Sequence, residues 1–268
     1  NPTLTNIGLG LQKWAIDNKI HTSESGKGAL FVSVWCFGLL LQLFVFFLAF
    51  KALSIGNAST LGGFAGFGLV VLTLFSFAIL KEHILKQEML GMTLILTGTA
   101  SLGFFSSGHQ SAEVIVHQQS MLVFFMVYFA FAAAGIFLLF KNLRGYGGAI
   151  FGLFGGSTSG LAMVFLKIVT HLPGMKESLL STMIHSPYTW LMAIGGVGGM
   201  ALVQIGYKFG KAIQVVPCFS SMVVIIPTIA GISILGESVP TACILSVVVI
   251  TSGVILTTTA APAAARRA

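Results

Sequence analysis

The sequence predicts an all-α, polytopic membrane protein with about nine transmembrane helices in two inverted-topology repeats. The 268-residue chain is 56% hydrophobic and 8% charged, whereas charged residues make up about 25% of a soluble domain. Its apolar residues occur in runs of roughly 20, the length that crosses a bilayer as a helix. The layout of residues 62–98 recurs 155 residues later, in residues 217–253. These three observations predict the fold class.

Eight apolar runs are long enough to span a membrane, and a shorter, more polar run precedes them. The eight are Ala29–Phe50, Leu61–Leu80, Met89–Phe105, Met121–Phe140, Gly147–Val169, Tyr188–Tyr207, Ala212–Leu235 and Val239–Thr258. The ninth run, Asn1–Ile16, has no initiator Met before it, so we expect its outer half either to be missing or to have been removed by processing. No cleavable signal peptide is visible.

The repeat rests on matches between residues that are scarce in this chain, which has seven acidic residues in all. At the offset of 155 the matching pairs include Phe64/Phe219, Glu82/Glu237, Ile95/Ile250 and Gly98/Gly253. The first and sixth spans also match at an offset of 154, with Lys13 against Lys167. Five spans lie from the start of one copy to the start of the other, an odd number, so the copies should cross the membrane in opposite senses. The predicted divisions are 1–108 (first half), 109–145 (outer loop and connecting fifth span), 146–260 (second half) and 261–268 (tail).

Lysine and arginine are distributed unequally between the two sides of the membrane. One side carries Lys51, Lys167 and Lys176. The other side carries Lys13, Lys19, Lys27, Lys81, Lys86, Lys141, Arg144, Lys208, Lys211, Arg266 and Arg267. The excess of positive charge predicts a cytoplasmic C-terminus and an outside N-terminus in a plasma or inner membrane. The net charge of +7 is scattered rather than clustered, so we expect no nucleic-acid partner. Cys36, Cys218 and Cys243 fall in or at the ends of spans and are predicted to be small buried residues without disulfides.

Inverted repeats place a substrate cavity near the midplane, between the halves. Gln42 and Gln204 are each the one strongly polar side chain deep in a span, and either an interhelical hydrogen bond or cavity lining explains them. The glycines and hydroxyls of 155–160 are expected to interrupt the sixth span with an irregular or close-packed backbone, inside the protein or against a cavity. Pro217 and Pro227 each remove an amide donor and are expected to interrupt the eighth span. The predicted lining is Asn6, Gln42, Phe64, Tyr128, Ser157, Thr158, Ser159, Gln204, Tyr207, Ser220 and Ser221.

Several charged side chains have two interpretations. Lys13 and Lys167 either contact an anionic group or snorkel at the ends of spans. Glu82 and Glu237 are predicted to cap helices, with ion coordination as the alternative. The spacing of His109, Glu113 and His117 places them on one face of a helix, as an outer metal site or as an ordinary polar face. No carboxylate is expected at mid-membrane depth, which argues against a dehydrated Mg²⁺ site. No catalytic constellation or cofactor motif is present, so we expect neither an enzyme nor a cofactor.

Two Leu-x-Glu helix junctions, each followed by a glycine near the end of the next span, resemble the drug/metabolite transporter (DMT) superfamily. The nine-span layout is similar to the NIPA-like magnesium transporter family, through FKALSIGNASTLGGFAGFG, LKEHILKQEMLGMTLILTGTAS, the loop 108–119, GGSTSGLAMVFLKIV and TWLMAIGGVGGMALVQIGYKFGKAIQVVP. The resemblance implies a secondary transporter that moves a small metabolite or organic cation by alternating access. The alternatives are a NIPA-like Mg²⁺ transporter and a non-transporting scaffold or assembly subunit. The bilayer is the expected partner, and a homodimer or membrane-complex partner stays open.

Overall fold

The computed structural model describes residues 2–21, 28–53, 85–106, 118–140, 146–172, 181, 184–236 and 240–265. Within these ranges the chain is all-helical, with eight long α-helices and no strand. They are α1 (Pro2–His21), α2 (Gly28–Leu53), α3 (Lys86–Ser106), α4 (Gln118–Phe140), α5 (Gly147–Thr170), α6 (Pro187–Phe209), α7 (Ala212–Ser233) and α8 (Thr241–Ala265). The predicted span Leu61–Leu80 lies outside the described residues.

Six of the described helices, α3 to α8, are long and apolar enough to cross a bilayer. Helix α2 adds a shorter apolar stretch, Leu30–Val45. Large apolar side chains such as Leu122, Met126 and Phe129 of α4 are more than half exposed. A surface of this kind is stable against lipid tails and unfavourable in water. The chain is therefore an integral, multi-pass membrane protein.

Helix α7 contributes to all three buried apolar clusters, so the described core is organised around it. It packs Ala230 with α5 and α6, Cys218 with α3 and α8, and Val215 with α1 and α6. Cys218 and Cys243 are free and buried, as predicted, but Cys36 is free and exposed on α2. The prediction for Cys36 is wrong because the position of a cysteine within an apolar span does not say which face of the helix carries it.

Helix α5 is a continuous helix through residues 155–160, and α7 is continuous through Pro217 and Pro227. The predicted interruption of these two helices is therefore wrong, whereas the close-packed backbone predicted as the alternative for residues 155–160 is confirmed. The glycines of α5 serve close packing instead: a Cβ on Gly155 would lie 2.8 Å from the carbonyl oxygen of Gly199, and one on Gly152 would lie 2.5 Å from that of Val215. Proline is tolerated within membrane helices where neighbouring groups accommodate the missing donor.

Helices α3 and α8 pack against each other through reciprocal contacts. A Cβ on Gly98 would lie 2.7 Å from Cγ1 of Ile250, and a Cβ on Gly253 would lie 2.8 Å from Cγ1 of Ile95. The contacts run in opposite directions along the two helices, since Gly91 meets Gly253 while Gly98 meets Ile250. The helices are therefore antiparallel. A glycine of α3 contacts an isoleucine of α8, and a glycine of α8 contacts an isoleucine of α3 in the same way.

Candidate functional site

Helices α1, α2 and α6 are joined by glutamine side chains in the protein interior. Gln42 Nε2 donates a hydrogen bond to Gln12 Oε1 at 2.9 Å. Gln204 Nε2 donates to the same oxygen. Gln12 is 0% exposed and Gln42 is 6% exposed. We call Gln12, Gln42 and Gln204, together with Trp35, the amide cluster. Gln42 and Gln204 thus make the interhelical hydrogen bonds that were one of their two predicted roles, and they make them through Gln12.

Trp35 fixes the direction of the hydrogen bonds in the amide cluster. Its indole Nε1 donates to Gln204 Oε1 at 3.3 Å, and an indole can only donate. The amide nitrogen of Gln204 must then face Gln12, whose oxygen accepts from both neighbours. The amide nitrogen of Gln12 is left over, and among the described residues this buried Nε2 has no hydrogen-bond partner.

Two glycines make room for the amide cluster between α1 and α2. A Cβ on Gly38 would lie 3.0 Å from Gln12 Cγ and 2.7 Å from the carbonyl oxygen of Gly8. A Cβ on Gly8 would lie 3.3 Å from Gln42 Cγ. Each glutamine thus lies over a glycine of the other helix. Sequence reasoning missed Gln12, but the matching pentapeptides GLGLQ (8–12) and GLLLQ (38–42) could have indicated it.

A second polar contact joins α4 to α5. Thr158 Oγ1 donates to the carbonyl oxygen of Phe154 at 2.7 Å, so in its 2.7 Å contact with Tyr128 the tyrosine hydroxyl is the donor. Tyr128 also lines a cavity of about 630 Å³ between α4 and α7. The walls of this cavity are mainly apolar and include Phe124, Phe131 and Ile226.

Most of the other predicted lining residues lie at helix interfaces. Ser157 and Ser221 are fully buried, and their hydroxyls donate to carbonyl oxygens of their own helices, Phe154 and Pro217. Tyr207 is 2% exposed in the cluster around α6, and Ser159 and Ser220 are half-buried. Asn6 belongs to α1, but its side chain is not among those that the structure describes, so its predicted role stays a prediction. Phe64, Glu82, Glu237, His109, Glu113 and His117 all lie outside the described residues, so their predicted roles stay predictions.

The lysines that match in the repeat are both buried. Lys13 is 6% exposed and Lys167 is 2% exposed. Lys13 Nζ donates to the carbonyl oxygen of Tyr207 at 2.9 Å and lies 6.0 Å from the centroid of its ring. The Lys13 ammonium therefore connects α1 to the last turn of α6. Lys13 follows Gln12 in α1, and Tyr207 lies three residues after Gln204 in α6.

Glu88 is a buried carboxylate that sequence reasoning placed just outside a span. It lies in the first turn of α3 and is 0% exposed. Its Oε2 accepts from the backbone N–H of Leu85 at 2.9 Å, and its Oε1 accepts from Nε2 of Gln214, on α7, at 3.0 Å. A glutamate at the third helical position commonly bonds back to the residue that precedes the helix. The spacing of three residues between Leu85 and Glu88 is the feature of the sequence that could have indicated this hydrogen bond.

The described residues contain no group of three or more His, Cys, Asp or Glu side chains that could together hold a metal ion. Glu88 is a single buried carboxylate among these residues, and the amide nitrogen of Gln214 donates to it.

Comparison with known proteins finds similarity to a plant protein. The chain is 26% identical over 217 residues to the "Probable magnesium transporter NIPA9" of Arabidopsis thaliana. The matched region covers 77% of this chain and 62% of that protein, so the chain spans less than two thirds of the relative's length. No family model matches the chain, and no solved structure matches it.

Proposed function

We propose that this chain is a membrane transporter whose cargo is a divalent cation of the Mg²⁺ class. The observation that carries the proposal is the similarity, over 77% of the chain, to a probable magnesium transporter. The six helices able to cross a bilayer fit that role. Of the two cargoes that the sequence left open, the comparison favours the divalent cation over a small metabolite or organic cation.

The proposal includes alternating access between two inverted halves, with nine spans in all. The contacts of α3 with α8 support this architecture. Ile95 and Gly98 of α3 match Ile250 and Gly253 of α8 in the sequence repeat, and Gly98 meets Ile250 as Gly253 meets Ile95. Reciprocal contacts between matched residues of antiparallel helices are what a pseudo-twofold axis in the membrane plane would produce.

Within the proposal, Glu88 is the first candidate ligand for the cation. Mg²⁺ is usually bound through one or two carboxylates and retained water molecules. Glu88 is a carboxylate fully buried among the described helices, and Gln214 beside it carries an amide oxygen that a side-chain rotation would turn towards the same site. Its two observed hydrogen bonds leave lone pairs on the carboxylate for an arriving cation.

The proposal is tested by Mg²⁺ uptake into proteoliposomes that contain a Mg²⁺-sensitive dye. We expect uptake above that of empty liposomes, and a loss of at least several-fold in Glu88→Gln. Glutamine has nearly the same shape and retains one oxygen for the Leu85 N–H, so the fold should persist, as a melting curve would check. Asp17→Asn removes one carboxylate elsewhere and serves as the control. Uptake equal to that of empty liposomes would refute the proposed cargo.

An organic cation remains a second candidate because of the apolar cavity that Tyr128 lines. Aromatic faces bind organic cations, and Phe124, Phe131 and Tyr128 supply such faces in a space of about 630 Å³. An untargeted metabolite uptake and efflux screen with the same proteoliposomes decides between the two cargoes. Metabolite transport without Mg²⁺ uptake would favour this second candidate.

A further inference from the structure

We propose that the amide cluster binds a small anion, a role that goes beyond cation transport and does not depend on it. The observation that leads to this proposal is the amide nitrogen of Gln12. It is buried, and within the described part of the chain it has no acceptor for its two N–H groups. Buried polar groups nearly always have partners, so an exception calls for an unobserved water, ion or ligand.

Exchanging the nitrogen and oxygen positions of the side-chain amides does not give an arrangement in which every N–H of the cluster has an acceptor. If the Gln12 amide is turned, its NH₂ faces the NH₂ groups of Gln42 and Gln204. If those two amides are turned as well, the NH₂ of Gln204 faces the indole N–H of Trp35, which can only donate. The arrangement with Gln12 Oε1 accepting two hydrogen bonds is the one in which the observed contacts all pair a donor with an acceptor. Its consequence is that Gln12 presents two N–H donors to a ligand.

The charge around the amide cluster also favours an anion. Lys13 follows Gln12 in α1, and its ammonium is held by the carbonyl oxygen of Tyr207, one turn beyond Gln204 in α6. The described buried carboxylate, Glu88, is bonded elsewhere, to Leu85 and Gln214. A bare cation would need an oxygen ligand, but Gln12 Oε1 already accepts from two amides. Two N–H donors, with an ammonium on the next residue of the helix, suit a halide or a small carboxylate such as acetate.

Access to this site would come from the side of α2 and α6 on which Gln204 and Trp35 lie. Both side chains are half-buried, whereas Gln12 behind them is fully buried. In the present conformation Gln12 is sealed, so binding requires α6 to separate slightly from the α1–α2 pair. Anion binding would then stabilise the protein by mass action.

The test uses the purified full chain in detergent, with chloride and acetate as the probes. Gluconate keeps the ionic strength constant, because its polyol chain makes this carboxylate too large for a site that is sealed in the present conformation. We expect the melting temperature to rise saturably with chloride, with acetate or with both. Gln12→Glu keeps an oxygen for Gln42 and Gln204, removes the two N–H donors and adds a negative charge. It should abolish the rise or increase the half-saturating concentration by about tenfold or more. Gln87→Glu makes the same change at an exposed position of α3 and should retain the parental response.

Broadening of the chloride NMR line by the unmodified protein, reversed by acetate, gives a second measurement that does not depend on a variant folding. The proposal is overturned if the parent shows neither a saturable shift nor line broadening, as expected if only water fills the site. A parental shift retained in Gln12→Glu also overturns it. Mg²⁺ uptake with gluconate as the sole anion keeps the two proposals separate, because each result can fail while the other holds.

Discussion

At the scale of single residues, buried amides act as connectors between helices. Gln12 is bonded to Gln42 of α2 and Gln204 of α6, and Gln214 of α7 is bonded to Glu88 of α3. Inside a membrane protein a polar side chain is stable only when other protein groups or water satisfy it. These contacts therefore determine which helices meet as well as what a ligand would encounter.

Gln42→Leu and Gln204→Leu should both lower the thermal stability of the protein in detergent. Each change removes an interhelical hydrogen bond to Gln12, and such bonds contribute about 0.6 to 2 kcal/mol. The loss should be larger for Gln204→Leu, because the Trp35 indole also loses its acceptor. Gln87→Leu, on the exposed side of α3, is the matched control. Melting of both variants at the parental temperature, with transport per folded molecule reduced several-fold, would instead assign these glutamines to substrate contact.

Sequence reasoning found two of the four members of the amide cluster, and missed Trp35 and the central Gln12. Gln42 and Gln204 are conspicuous because each lies in an otherwise apolar run. Gln12 lies in a run that also contains Thr, Asn and Lys, so its burial could not be seen before the packing of α1 on α2 was known. Glu88 was missed for a different reason: the predicted span begins one residue later, and helix ends are uncertain by one or two residues in any assignment.

At the scale of helices, glycine determines how closely neighbours approach. The pairs α1–α2, α3–α8 and α5–α6 each place glycine against backbone of the partner helix. The sequence identified the glycine-rich part of α5 correctly as unusual, but two outcomes fitted it, an irregular backbone and a close contact. Glycine content alone does not distinguish these outcomes. The surface of the neighbouring helix determines whether its backbone occupies the space that a side chain would otherwise take.

Gly91→Ala and Gly253→Ala should each destabilise the protein by about 1–3 kcal/mol through overpacking. A Cβ at Gly91 would lie 2.8 Å from the carbonyl oxygen of Gly253, and a Cβ at Gly253 would lie 2.6 Å from that of Gly91. Backbone cannot move aside as a side chain does, so α3 and α8 would have to separate. Gly196→Ala in α6 is the control, since nothing lies within 4 Å of its Cβ. Melting curves in detergent measure the effect, and equal melting of all three variants would contradict close packing of α3 on α8.

At the scale of the whole molecule, α7 packs with α1, α3, α5, α6 and α8 in the described core, and the neighbouring helices α3 and α8 form an antiparallel pair. The repeat in the sequence predicted that residues near 96 and 251 are equivalent, and α3 and α8 meet at those residues. The sequence could not predict this meeting, because a repeat shows which residues are alike and not whether the two copies touch. The sequence repeat matches α7 to the predicted span Leu61–Leu80, which lies outside the described residues.

The orientation of the protein in its membrane is a prediction for the whole molecule that the structure makes directly testable. Helices α5 and α6 are antiparallel, since Gly148 meets Gly210 at one end and Ala162 meets Gly195 towards the other. His171 follows the end of α5, and Lys208 lies in the last turn of α6, so the two exposed residues lie at opposite ends of this pair. The excess of lysine and arginine on the Lys208 side predicts that this end is cytoplasmic.

In a cysteine-free background, we expect His171→Cys and His109→Cys to react with an impermeant thiol reagent on intact cells. Lys208→Cys and Arg144→Cys should react only after the membrane is permeabilised. Replacing Cys36, Cys218 and Cys243 first is necessary because Cys36 is exposed in this structure. Labelling of position 208 but not 171 on intact cells would reverse the orientation. Helix α6 is long and apolar enough to span the membrane. Labelling of both positions from one side would contradict that crossing.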